Sequence, residues 1–218
     1  MTRPSHALVV DTHRLFREAF GTLLRRDCGF ATVLETASLD EALQMLDEHR
    51  EIVFASFDLA TPGIGNPLSL RSVREVYPDL RIAALAAASR REDIFLALRA
   101  GLHGFVAKTF EPAEIIRAVG LIMEGGIFVP PDLVELPLAA EAGGEPGSER
   151  RNAQPFRLTP RQLDVLRLIR SGLSNKEIAK TLGLTENTVK VHANALYRAL
   201  GVKDRSGAMK WAETPGLS

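Results

Sequence analysis

The chain has 218 residues, 45% hydrophobic and 25% charged, enough for two ordinary cores and too apolar for a disordered polymer. Its 27 basic and 27 acidic residues cancel, which excludes a uniformly basic nucleic-acid coat, yet from residue 150 onward 13 Lys and Arg stand against 5 Asp and Glu, leaving 14 against 22 before it. The single cysteine, Cys28, excludes an intrachain disulfide and a cysteine metal cluster, and no apolar run nears the ~18 residues of a membrane span, so a cytoplasmic protein without a membrane partner is expected.

The first 125 residues alternate short apolar runs with longer amphipathic ones. Strands are predicted over 6–11, 31–36, 52–58, 81–86 and 104–107, each followed by a helical pattern. Five such units predict an α/β domain with a parallel sheet covered on both faces. Ligands of such sheets lie beyond the carboxyl ends of the strands, which here carry Asp11, Asp58, Ala86 and Lys108. Between the third and fourth strands, Asn66 can cap and Pro67 can open a helix. From Pro137 to Pro155 large apolar residues are scarce and breakers frequent, which predicts a mobile linker. The boundaries read as 1–128 for the first domain, 129–156 for the linker and 157–218 for the second domain.

In the second domain the signals are local. Thr159-Pro160-Arg161-Gln162 offers a capping hydroxyl, a proline at the first helical position and a glutamine three residues after the cap. That helix should stop near Gly172. Ser174-Asn175-Lys176-Glu177 is a second capping box, closed by Gly183, and Thr185 can cap a third helix with Val189, Ala193, Leu196 and Leu200 along one side. The opposite side carries Asn187, Lys190, Val191, Asn194 and Arg198, able to donate to phosphates and base edges and to touch a thymine methyl. Asp204 can cap a last helix with Ala208, Met209 and Ala212 on one strip. Two short helices joined by Gly183-Leu184-Thr185 predict a helix-turn-helix and a double-stranded DNA partner.

The stretch from Leu158 to Ala212 resembles the LuxR-type DNA-binding domain over its whole length, with the Leu-Thr-Pro-Arg start, the Glu-Ile-Ala helix, Thr-Val-Lys-x-His and the Leu-Gly-Val exit. Gln162 stands where that family usually has Glu. The resemblance implies that Lys190, Val191 and Asn194 reach bases while Lys176, Thr188 and His192 lie near phosphates. Residues 6–128 resemble the receiver domain of two-component response regulators, through Asp58-Leu59-Ala60-Thr61-Pro62-Gly63, Phe105-Val106-Ala107-Lys108 and the amino-terminal "VVDTHRLFREAF". This implies a flavodoxin-like (βα)5 receiver with a parallel five-stranded sheet, followed by a small all-α four-helix LuxR-type helix-turn-helix domain, the architecture of the NarL/FixJ class.

The departures carry equal weight. The family's second acidic residue after strand one, a direct magnesium ligand, is Thr12 here, and its hydroxyl residue after strand four is Ala86. Phe105 supplies aromatic bulk without a tyrosine hydroxyl. Asp58 is thus the phosphoacceptor-like residue of a degenerate pocket made by Asp11, Thr12, Ala86, Phe105 and Lys108, with at most a weak magnesium site at Asp11 and Asp58. The expectation is a sequence-specific transcription regulator, not an enzyme, with no resident cofactor, working without aspartyl phosphorylation. The alternative is a conventional regulator activated at Asp58 by a sensor kinase, with magnesium. A homodimer is expected, through the last helix around Ala208 and Ala212 or through receiver residues Ile94, Leu98, Ile115 and Val119, and RNA polymerase is a candidate partner.

Overall fold

A computed structural model describes residues 5–131 and 158–213. The predicted linker over 129–156 lies almost wholly outside these residues.

Five short strands, β1 (His6–Val10), β2 (Thr32–Thr36), β3 (Ile52–Asp58), β4 (Arg81–Ala86) and β5 (Gly104–Ala107), form one parallel sheet in the order β2-β1-β3-β4-β5. Between them run α1 (Arg14–Asp27), α2 (Leu39–Glu48), α3 (Arg71–Val76) and α4 (Arg91–Arg99), and α5 (Pro112–Met123) follows the last strand. The central strands are buried along almost their whole length because helices cover both faces. On one face Phe20 and Leu24 of α1 meet Ile115, Ala118, Val119 and Ile122 of α5 over Val9, Phe54 and Leu85. On the other, Leu43, Val73, Ile94 and Ala97 pack over Leu8, Phe57 and Ile82.

Asn66 caps as expected, its side chain accepting from Leu68 N at 2.9 Å, but Pro67–Leu70 winds as a 3-10 turn before α3 begins. Ile94, Ile115 and Val119, expected at a dimer contact, are instead core residues, each at most 6% exposed. A helical stripe that faces a sheet has the same periodicity as one that faces a partner.

The second domain holds α6 (Pro160–Arg170), α7 (Asn175–Leu182), α8 (Glu186–Ala199) and α9 (Arg205–Glu213). Both predicted capping boxes form: Thr159 accepts from Gln162 N while the Gln162 side chain accepts from Thr159 N, and Ser174 pairs with Glu177 in the same way. Gly183 ends α7 in the left-handed conformation (φ 66°), which lets the chain turn directly into α8 behind the Thr185 cap. Val165, Ile169, Ile178, Val189 and Leu196 make the core. Ala208 is fully buried in that core, which corrects the expectation that it faces a partner copy; α9 closes its own domain. Among the described residues no helix is long and apolar enough to cross a membrane.

Candidate nucleic-acid interface and aspartate pocket

At the carboxyl edge of the sheet, β1 delivers Asp11, β3 ends on Asp58 and β5 leads to Lys108. Lys108 Nζ lies 2.7 Å from Asp11 Oδ2 and 3.0 Å from Asp58 Oδ2, and both carboxylates are essentially out of water. Lys108 thus bridges the two carboxylates in a three-membered group, and its Nζ lies over the Phe16 ring, 5.0 Å from the centroid. Asp11 Oδ1 is taken by the backbone N–H of His13 at 2.8 Å. Thr12 is exposed, Ala86 is packed into the core at the end of β4, and Phe105 is buried beside it. Ala86 O instead anchors the loop by accepting from Lys108 N at 2.8 Å.

This donor set does not fit magnesium. Mg2+ requires near-octahedral oxygen ligands with anionic character, whereas here each carboxylate gives an oxygen to an ammonium and position 12 supplies no acid. His13, whose Nδ1 is 3.4 Å from Asp11 Oδ1, adds a nitrogen that Mg2+ does not favour.

The polar face of α8 is turned toward the first domain and is met there by carboxylates. His192 Nε2 is 2.7 Å from Asp40 Oδ1, and Arg161 of α6 holds the other oxygen through Nε at 2.7 Å and Nη2 at 2.5 Å. Asn187 Nδ2 donates to Asp47 Oδ1 at 2.6 Å, and the Thr185 hydroxyl donates to Asp47 Oδ2. Arg198 pairs with Glu75 and donates to Ser72 Oγ at 2.6 Å, and Asn194 Nδ2 reaches Glu75 Oε2 at 3.4 Å. Val191, expected to touch a base methyl, is 2% exposed and packs with the core cluster of the first domain. Burial works to raise the pKa of Asp40, but His192 and Arg161 beside it hold the carboxyl below its ordinary value.

Of the eight residues expected at DNA, Asn187, Val191, His192, Asn194 and Arg198 thus lie against the first domain. Thr188 is buried beneath its cap, Oγ1 2.9 Å from Thr185 Oγ1. Lys176 and Lys190 remain exposed. Sequence reasoning missed Asp40, Asp47, Ser72 and Glu75, together with Arg161, as parts of this surface.

Residues 157–212 match the model of the bacterial regulatory proteins of the luxR family, and residues 7–120 match the response regulator receiver domain. The chain is a response regulator of the NarL/FixJ class. This response regulator is 31% identical to the glycerol metabolism activator of Pseudomonas putida over 93% of its own length and 92% of the relative's. It is 29% identical to the nitrate/nitrite response regulator protein NarL of Escherichia coli K12, covering 95% and 94% of the two chains. Among solved structures, a LuxR-family two-component response regulator from Aurantimonas sp. SI85-9A1 matches 61% of this chain and 94% of its own at 28% identity and a TM-score of 0.55. RcsB from Salmonella enterica serovar Typhimurium, bound to the promoter P1flhDC, shares the fold at 20% identity, with a TM-score of 0.54 over 96% of this chain and 98% of that one.

Proposed function

We propose that this response regulator is a cytoplasmic, sequence-specific transcription factor that reads DNA with α8 and works without aspartyl phosphorylation. The reading is carried by one observation: the donors of α8 that suit phosphates and base edges are engaged by Asp40, Asp47 and Glu75 of the receiver, so DNA and receiver compete for one surface. Its support on the phosphate side is the Lys108 bridge between Asp11 and Asp58, which leaves no carboxylate pair open to a metal, and the missing hydroxyl at Ala86. The conventional reading, phosphorylation by a sensor kinase at Asp58 with magnesium, draws on the retained Asp58 and Lys108.

A single short helix in one groove gives limited contact, so useful affinity calls for two copies on a roughly palindromic site. With Ile94, Ile115, Val119 and Ala208 committed to their own cores, exposed apolar surface is found at α1, where Leu15, 82% exposed, stands beside a groove of about 600 Å3 lined by Phe16, Leu23 and Phe110. A homodimer is the expected assembly. RNA polymerase is the partner expected of the DNA-bound form, and the protein itself is not an enzyme.

The test of DNA recognition is Lys190→Ala beside Asn194→Ala. Each should weaken specific binding by about 1 to 3 kcal/mol with the fold intact. Lys190 is the cleaner probe, because it bonds within its own helix, to Asn187 Oδ1 at 3.4 Å, and its loss leaves the carboxylate contacts in place. Wild-type affinity of both variants at matched salt would reject this face.

A further inference from the structure

Asp40 is gripped from two helices of the second domain at once. His192 Nε2 of α8 meets Oδ1 at 2.7 Å, while Nε and Nη2 of Arg161, in the first turn of α6, meet Oδ2 at 2.7 and 2.5 Å. Neither donor owes its place to the receiver. Arg161 stands one turn before Val165 and two before Ile169, on the stripe that packs α6 against Val189 and Leu196 of α8. The Thr159–Gln162 capping box fixes the backbone of that turn. His192 lies one turn from both Val189 and Leu196 on the facing helix. Asp164, the other acid near Arg161, is 4.0 Å from Nη1 and gives its second oxygen to Arg167 at 3.4 Å, so Nε and Nη2 of Arg161 are left to Asp40.

We propose that Arg161 and His192 together clamp one backbone phosphate of the DNA, with Asp40 as the stand-in for that phosphate in the closed chain. The inference rests on α8 being the reading helix, as proposed above, and adds α6 to the surface that touches the duplex. A guanidinium meets carboxylate and phosphate oxygens with the same planar array of donors, so an arginine closed on Asp40 is already shaped for a phosphate. At helical spacing Asn187, Asn194 and Arg198 form the centre of the polar face and His192 lies to one side of it, with Arg161 beyond. A helix seated in the major groove has base edges at its centre and a sugar-phosphate wall at each flank. Phosphate contacts set orientation without reading sequence, so the clamp fixes the angle at which α8 enters the groove.

The experiment measures affinity as a function of salt, by fluorescence anisotropy, for a duplex selected from a random-sequence pool by the full-length protein. The background is Asp40→Asn, because in the unaltered chain Arg161 also holds the closed form and its loss has two opposite effects on binding. There Arg161→Ala should lower affinity severalfold and reduce the slope of log affinity against log salt by about 1. Arg161→Lys keeps the charge and should restore most of the slope. Arg167→Ala, 74% exposed on another side of the same helix, should leave the slope unchanged, and circular dichroism reports the fold. An unchanged slope on Arg161→Ala, or an equal reduction by Arg167→Ala, overturns the clamp. Lys190→Ala measured alongside separates this from the reading beneath it: weakening by Lys190→Ala with no effect of Arg161→Ala removes the clamp alone, and no effect of either removes both.

Discussion

The full chain carrying Asp40→Asn together with Glu75→Gln is expected to bind its DNA site more tightly than the unaltered chain, and adding Asp47→Asn should bring the gain to roughly tenfold to a hundredfold. Each partly exposed charge pair is worth about 0.2 to 1 kcal/mol, each hydrogen bond of Asp47 to the uncharged Asn187 and Thr185 about 0.5 to 1.5 kcal/mol, and a tenfold change in affinity is about 1.4 kcal/mol. The gain appears because these carboxylates stabilise only the closed arrangement, in which His192, Arg161, Asn187 and Arg198 are engaged, and leave the DNA-bound form untouched. Asp47 also accepts from the Tyr77 hydroxyl at 3.0 Å and pairs with Arg50, so its change costs some receiver stability, and the double variant is the cleaner measurement. Fluorescence anisotropy at matched salt reads the effect. Unchanged affinity would mean that the receiver does not cover α8 in solution.

Lys108→Met should destabilise the receiver by about 3 to 5 kcal/mol, because two carboxylates with almost no exposure lose their one shared cation. The size of the effect follows from what remains: Asp11 and Asp58 would repel each other in a medium that screens them poorly. The same change in an Asp58→Asn background should cost less, since one charge and its repulsion are already gone. Denaturant unfolding of the four proteins in this cycle measures the coupling directly. Equal stability of the unaltered chain and the Lys108→Met variant would show that the group is hydrated and open, as an ordinary phosphate-accepting pocket is.

Much of this architecture is legible residue by residue because it is local. Thr159, Ser174, Thr185 and Gly183 act on backbone groups within four residues, and all four do in the structure what their chemistry predicts. The alternation of strands and helices gives the sheet, and the strand exits give the meeting of Asp11, Asp58 and Lys108. What escaped is non-local. Asp40 and Asp47 on α2 and Glu75 on α3 are at least 119 residues from their partners and read as ordinary solvated acids. The one available signal was the opposite charge of the two halves, which identifies that surfaces attract without saying which. Ile94, Ile115 and Val119 were misplaced for a related reason: periodicity identifies a buried face but not what buries it. Val191 shows the converse, an apolar residue on a polar face that sequence assigns to a base and the closed chain packs against the receiver.

Phosphate independence is tested by the DNA affinity of the unaltered protein with and without beryllofluoride or acetyl phosphate in the presence of magnesium, beside the Asp58→Ala variant. Lys108 holds both carboxylates, Thr12 supplies no acid and Ala86 supplies no hydroxyl to carry a phosphoryl signal, so the two defects act at different stages. Phosphate independence requires the same affinity under all conditions, near-normal binding by Asp58→Ala, and a response only after Thr12→Asp and Ala86→Thr are introduced together. Activation of the unaltered protein by the phosphoryl mimic, abolished by Asp58→Ala, would contradict it.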